Sequence, residues 1–230
     1  MTESPEEIPT PPWSQASVRR RRGGAPLDRD RIVAAALAIV DARGVEALSF
    51  RRLADDLGVT PMAIYWHVRG RVELLEIVGQ RVLAEMEVPE PRGDWRDQLR
   101  DIHRAMFAGF MRHPNTAEIL IGRARFGAGG LRLFERILTI LLEAGLSPTA
   151  AFDGYQSLYG FTLGSMAMAS RTPEFREIQR QGVMYMASLP ESRFPSIRAV
   201  VPTIGLRSLD EQFEIGLDIQ VEGIAARLAT

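Results

Sequence analysis

The chain has 230 residues, 46% of them hydrophobic and 25% charged, with no cysteine. This composition supports a real core and excludes a disulfide framework, a thiolate metal site and a Cys nucleophile. The net charge of −1 hides a pattern: residues 17–71 carry 11 Arg against 6 acids (+5), the first sixteen residues carry −3, and residues 87–230 carry 16 Arg against 17 acids (−1).

A basic block on an otherwise neutral chain points to an anionic partner held at one end. All 28 basic residues are Arg. Arg makes bidentate contacts to phosphate and guanine, although codon usage in a GC-rich genome gives the same absence of Lys. The longest apolar run, residues 32–40, is far below the ~20 residues that span a bilayer. The acidic, Pro-rich start lacks the apolar region of a secretory signal. No membrane association is expected, and a reducing cytoplasm is the expected compartment.

In chain order, residues 1–18 hold Pro5, Pro9, Pro11 and Pro12 among acids and small polar groups, and read as disordered. Arg19, Arg20, Arg21 and Arg22 follow, then Gly23 and Gly24. A helix is predicted over 28–43, where Ile32, Val33, Ala36, Leu37 and Val40 recur at helical spacing and Gly44 sits past the end. A second runs from the N-cap Ser49 to Leu57, before Gly58, with Leu53, Ala54 and Leu57 inward. A third opens with Thr60 and Pro61 and ends near Val68. A fourth covers 71–86 with Val72, Leu75, Val78 and Val82 on one face. Two helices joined by the short Gly58-Val59 turn form the helix-turn-helix pattern, whose second helix enters a DNA major groove.

Residues 88–93 read as a linker. Beyond it only helical patterns appear, over 94–111, 116–125, 131–144, 147–171, 172–189 and 210–228. The stretch 127–130 reads as flexible and 190–208 as loop. The expected fold is all-α: an N-terminal extension (1–26), a three-helix DNA-binding domain with the helix-turn-helix (27–72), a connecting helix (73–86) and a larger helical ligand-binding and dimerisation domain (87–230).

Residues 49–54 (SFRRLA), 57–59 (LGV), 63–68 (AIYWHV) and 74–75 (LL) resemble the DNA-binding domain of TetR-type transcriptional repressors. Residues 141–147 (LLEAGLS), 160–164 (GFTLG) and 213–217 (FEIGL) are similar to the tetracycline-repressor branch. The resemblance implies a homodimer on a palindromic DNA operator, released by a small ligand. It also implies a four-helix bundle from two helices per subunit, here 147–171 and 210–228. Gly160, Gly164, Phe161, Leu163, Leu217, Val221 and Ile224 supply small residues and knobs for it. The plain alternative is that these are core helices of a monomer.

Ile64 and Val68 supply the buried face of the third helix, so the rings of Tyr65, Trp66 and His67 cannot all be core. The resemblance implies phosphate contacts from Tyr65 and His67, with Trp66 against the backbone or bracing the domain. It places Thr60, Pro61, Met62 and Ala63 at the base edges. Pro61, Met62 and Ala63 offer only apolar contact, for instance to thymine methyls, so the tetracycline operator is not expected. The resemblance puts Arg51 on a guanine, the alternative being an ion pair with Asp55, and Arg71 on a phosphate. The Arg19–Arg22 run reads as an arm in the minor groove or as a solvated tail. Removing residues 1–24 is expected to weaken DNA binding and to reduce its log–log salt slope by about 0.9 for each phosphate that the arm neutralises. An unchanged slope in a salt titration rules the arm out.

The tetracycline branch holds a drug–magnesium chelate through a His and a Glu. Leu120 and Met168 stand at or near those positions, and Ile102 and Met106 replace polar drug contacts, so tetracycline–magnesium is not the expected effector and no metal or cofactor is expected. Phe107, Phe110, Phe126, Phe152, Tyr155 and Tyr159, with Gln156 as a polar anchor, make a hydrophobic small molecule the expected effector, although each residue fits plain core packing equally well. His103 and His113 are ten residues apart, which is not a helical metal spacing. No nucleophile or phosphate-loop signature occurs, so no enzyme is expected. The remaining alternative is a DNA-binding regulator switched by a partner protein, or an activator without a small ligand.

Overall fold

The computed structural model describes residues 27–121, 126–169 and 173–228. Among them every regular element is helical. Helix α1 (Arg29–Arg43) starts where the Asp28 carboxylate accepts from the Arg31 N–H at 2.8 Å and stops at Gly44, whose φ of 79° favours glycine. Helix α2 (Phe50–Leu57) starts on Ser49 Oγ, which accepts from Arg52 N at 3.2 Å. Gly58, at φ 67°, then turns the chain into α3 (Pro61–Tyr65), capped by Thr60 with Pro61 in its first turn.

Helix α3 ends three residues before the expected Val68. The Ile64 carbonyl accepts from both His67 N (2.9 Å) and Val68 N (3.0 Å), so the chain tightens into a turn. Helix α4 (Arg71–Ala84) also differs from the expected face. Val72 is exposed, and the buried stripe is Leu74, Val78 and Val82, four apart. Residues 88–93 carry no helix.

The larger body holds α5 (Trp95–Arg112), α6 (Ala117–Ile121), α7 (Ala128–Glu143), α8 (Pro148–Ala169), α9 (Pro173–Ser188), α10 (Pro195–Val200) and α11 (Leu209–Ala225). Helix α7 begins inside the glycine stretch expected to be flexible. Gly129 N donates to Gln80 Oε1 of α4 at 3.0 Å, and a Cβ on Gly127 would overlap the Gln80 amide. These glycines let α4 and α7 meet closely. Helix α10 lies in a stretch expected to be loop, because Pro195 at its first turn starts a helix as well as breaking one. A capping box of Ser208 and Glu211 opens α11. No described helix is long and apolar enough to cross a membrane.

One buried core runs from Ile32, Leu53 and Ile64 through Leu74 and Val78 of α4 to Leu99, Ile137, Leu141, Leu158 and Leu217 of the body. Three rings join α5, α11 and α8: Phe107 stacks on Phe213 at 4.1 Å, and Phe161 on Phe213 at 5.5 Å. Gly216 lies under the Phe161 ring, which a Cβ there would overlap. Gly216→Ala is therefore expected to destabilise the chain by about 1–3 kcal/mol, the usual cost of overpacking, as a lower urea midpoint.

Candidate DNA-reading head and effector chamber

The turn at Gly58 sets α3 against α2 so that Ile64 and Val68 are buried while the rest of the helix faces outward. Met62 is 66% exposed, Tyr65 49% and Trp66 69%. The Tyr65 ring stacks on Phe50 at 4.4 Å, nearly parallel. Trp66 is too exposed to brace the domain. Pro61 and Arg51 are exposed, and Ala63 and His67 are half-buried. Arg51 forms no ion pair with Asp55 among the described residues. The Thr60 hydroxyl accepts from Ala63 N at 3.3 Å, so it already serves as the helix cap.

Arg71 stands at the first position of α4, where the family resemblance puts it, and its side chain also has partners within the chain. Its guanidinium donates to the carbonyls of Val45 (3.0 Å) and Leu48, and lies 3.8 Å from Glu46. It ties the start of α4 to the α1–α2 connection. The first turn of α4 also carries its own anion, Glu73, whose carboxylate accepts from Arg69 N and Arg29, both at 2.8 Å. Arg19, Arg20, Arg21 and Arg22 lie outside the described residues.

In the body, α4 to α8 enclose an apolar cavity. Leu83 comes from α4, Met106 and Phe110 from α5, and Leu120 from α6. Gly130, Leu133, Phe134 and Ile137 come from α7, and Tyr155, Tyr159 and Leu163 from α8. Tyr155 stacks on Tyr159 at 5.5 Å and lies 4.4 Å from Phe134. The Tyr159 hydroxyl donates to the Leu120 carbonyl at 3.3 Å. The water-sized free space is about 20 Å³, room for roughly one water.

Five of the expected chamber residues line this cavity: Met106, Phe110, Leu120, Tyr155 and Tyr159. Five do not. Ile102 is buried outside the lining, and Phe107 turns to α11 and Phe213. Phe152, Gln156 and Met168 are exposed. The reason is helical phase: Gln156 stands ~100° around α8 from Tyr155, and Met168, nine residues past Tyr159, is half a turn out of register. Leu83, Leu133, Phe134 and Ile137 line the cavity without having been expected there. The four-residue spacing of Leu133 and Ile137 was the available signal.

The subunit-interface residues divide in the same way. Leu217, Val221 and Ile224 are buried within the chain against α8, and Leu163 lines the cavity. Phe161 is half-buried on Phe213. Leu217, Val221 and Ile224 are own-chain packing, while Phe161 and Leu163 keep part of their surface exposed. Gly160 and Gly164 are exposed with open space before them. The opposite face of α11 carries Ile215 and Ile219, 41% and 65% exposed, and Gly223. A groove of about 440 Å³ between α8 and α11 is lined by Asp153, Ser157, Ile219 and Gln220, among others.

A three-helix head whose helix-turn-helix presents α3 outward, carried by α4 on a larger helical body, is the architecture of a helix-turn-helix DNA-binding protein. Comparison with known proteins agrees. Residues 32–78 match the family described as bacterial regulatory proteins, tetR family, and residues 88–228 match the tetracyclin repressor-like C-terminal domain. The chain belongs to the TetR family of transcriptional repressors. It is 30% identical over 204 residues to the class A tetracycline repressor from transposon 1721 of Escherichia coli, covering 87% of this chain and 92% of that one. It is 30% identical over 226 residues to the repressor DrrR1 of Streptomyces coeruleorubidus, covering 92% and 82%. Its fold matches Streptomyces coelicolor ActR in complex with actinorhodin, with a TM-score of 0.79 and 36% identity over 88% of this chain and 97% of that one. These relatives are transcriptional regulators, not enzymes.

Proposed function

We propose that the protein binds a palindromic operator as a homodimer and that a hydrophobic small molecule entering the α4–α8 cavity releases it. The observation that carries this is Leu83: the helix that holds the reading head forms part of the cavity wall. Pockets that hold drug-sized ligands measure ~300–1,000 Å³, so such a ligand cannot enter without moving a wall. A ligand that displaces Leu83 tilts α4, and its binding energy then differs between DNA-competent and released forms. The stacked Tyr155 and Tyr159 rings beside Phe134 suit a flat, ring-containing effector, as does the actinorhodin complex of ActR.

At the head, Arg51 reads guanine, Tyr65 and Trp66 meet the backbone, and Pro61, Met62 and Ala63 give apolar base contact. Dimerisation joins the outward faces of α8 and α11 through Gly160, Gly164, Ile215 and Ile219. The tight cavity favours a second reading, a regulator switched by a partner protein. A thermal-shift screen of hydrophobic drugs and metabolites, tetracycline–magnesium included, with hits retested for release of promoter DNA, separates the two. Binding at 100 times Kd stabilises by ~2.7 kcal/mol. A hit that releases DNA supports the effector reading. Hits that leave DNA bound support the second.

A further inference from the structure

One ring joins three parts of the molecule. His113 follows α5 in the body. Its Nδ1 lies 2.8 Å from Asp41 Oδ2 of α1, in the reading head. Its Nε2 lies 3.1 Å from Glu85 Oε2, at the end of α4. The imidazole is 15% exposed and the two carboxylates about a third, so water screens these contacts only in part. From α4, Arg81 donates to Glu85 Oε1 at 2.5 Å, and from α5, Arg112 donates to the Glu85 carbonyl at 2.7 Å. Asn115 donates to the Asp41 carbonyl at 2.9 Å, which fixes the α1 side.

A neutral imidazole has one N–H and one lone pair. It satisfies one of these carboxylates and turns a lone pair on the other. Only the imidazolium donates to both. The Arg81 guanidinium, and then His113, hold the Glu85 carboxyl below its ordinary value, so it stays ionised at neutral pH. We propose that His113, as an imidazolium, is the clasp that sets the angle between the reading head and the body, and that losing its proton loosens that angle. Its consequence for DNA release rests on the effector reading above; the clasp itself does not.

The test needs neither operator nor effector. The chain has no cysteine, so Asp55→Cys on α2 and Glu143→Cys on α7 accept two spin labels at exposed sites. Excess unlabelled chain restricts the signal to pairs within one chain. Distances are read by pulsed dipolar spectroscopy at about pH 5.5 and about pH 8.5. The expected result is a narrow distribution at the lower pH that broadens and shifts at the higher one. His113→Gln is expected to give the broad distribution at both. His103 does not confound the comparison, since burial pushes it down to about 4. The same distribution at both pH values in the unsubstituted His113 chain overturns the clasp, even if His113→Gln fails to fold. So does a pH response that survives His113→Gln.

Discussion

Acidification from pH 7.5 to 4 is expected to weaken the fold by on the order of 3 kcal/mol through one side chain, His103. The ring is fully buried between α5 and α8. Its Nδ1 shares a 2.8 Å hydrogen bond with the Thr162 hydroxyl, and its Nε2 has no partner. Burial pushes its pKa from 6.5 down to about 4. The folded chain therefore keeps the ring neutral while the unfolded chain takes a proton. Its contribution is fully present above about pH 6.5 and is lost as the pH falls towards 4. His103→Gln, which cannot titrate, is expected to show a flatter urea midpoint over the same range. Carboxylates such as Glu85 contribute acid loss to both chains, so the difference between the two profiles isolates His103. Equal profiles refute the assignment.

Arg51→Ala is expected to lower operator affinity by about 2–6 kcal/mol, or about 30-fold to 10⁴-fold. A bidentate arginine–guanine contact is worth about 1–3 kcal/mol, and a two-fold dimer loses it in both half-sites. Arg51 is exposed at the start of α2 and has no competing ion pair with Asp55 among the described residues. Its removal should leave the thermal midpoint nearly unchanged, because surface changes usually lie within ±0.5 kcal/mol. A gel-shift titration against promoter DNA, with base substitutions across each half-site, checks both the loss and the relaxed preference at one position. A uniform loss across all bases assigns Arg51 to phosphate instead.

Much of the reading head was legible because its signals are local. Asp28, Ser49 and Thr60 cap helices through their own side chains, and Gly44 and Gly58 end them where a left-handed residue is required. Each fact involves neighbours a few residues apart, which periodicity and cap chemistry report. The expected ends of α4 lie within two residues of the observed ones, and so does the expected start of α11. The body was legible as helices but not as a site. On α8, Tyr155 and Gln156 are adjacent in sequence, yet one lines the cavity and the other meets solvent.

The amino-acid sequence alone determined the all-α class, the helix-turn-helix, the TetR resemblance and which residues are apolar. Only the tertiary structure decided which face of each helix turns inward. That choice depends on the angular phase of helices packed from distant parts of the chain, and a shift of one residue rotates a side chain by ~100°. It moved Leu217 and Val221 from a subunit interface into the chain's own core, and Leu163 into the cavity. It drew Arg71 to the carbonyls of Val45 and Leu48. It also brought Asp41, Glu85 and His113 together from separations of 28 and 72 residues, a meeting that no local pattern encodes.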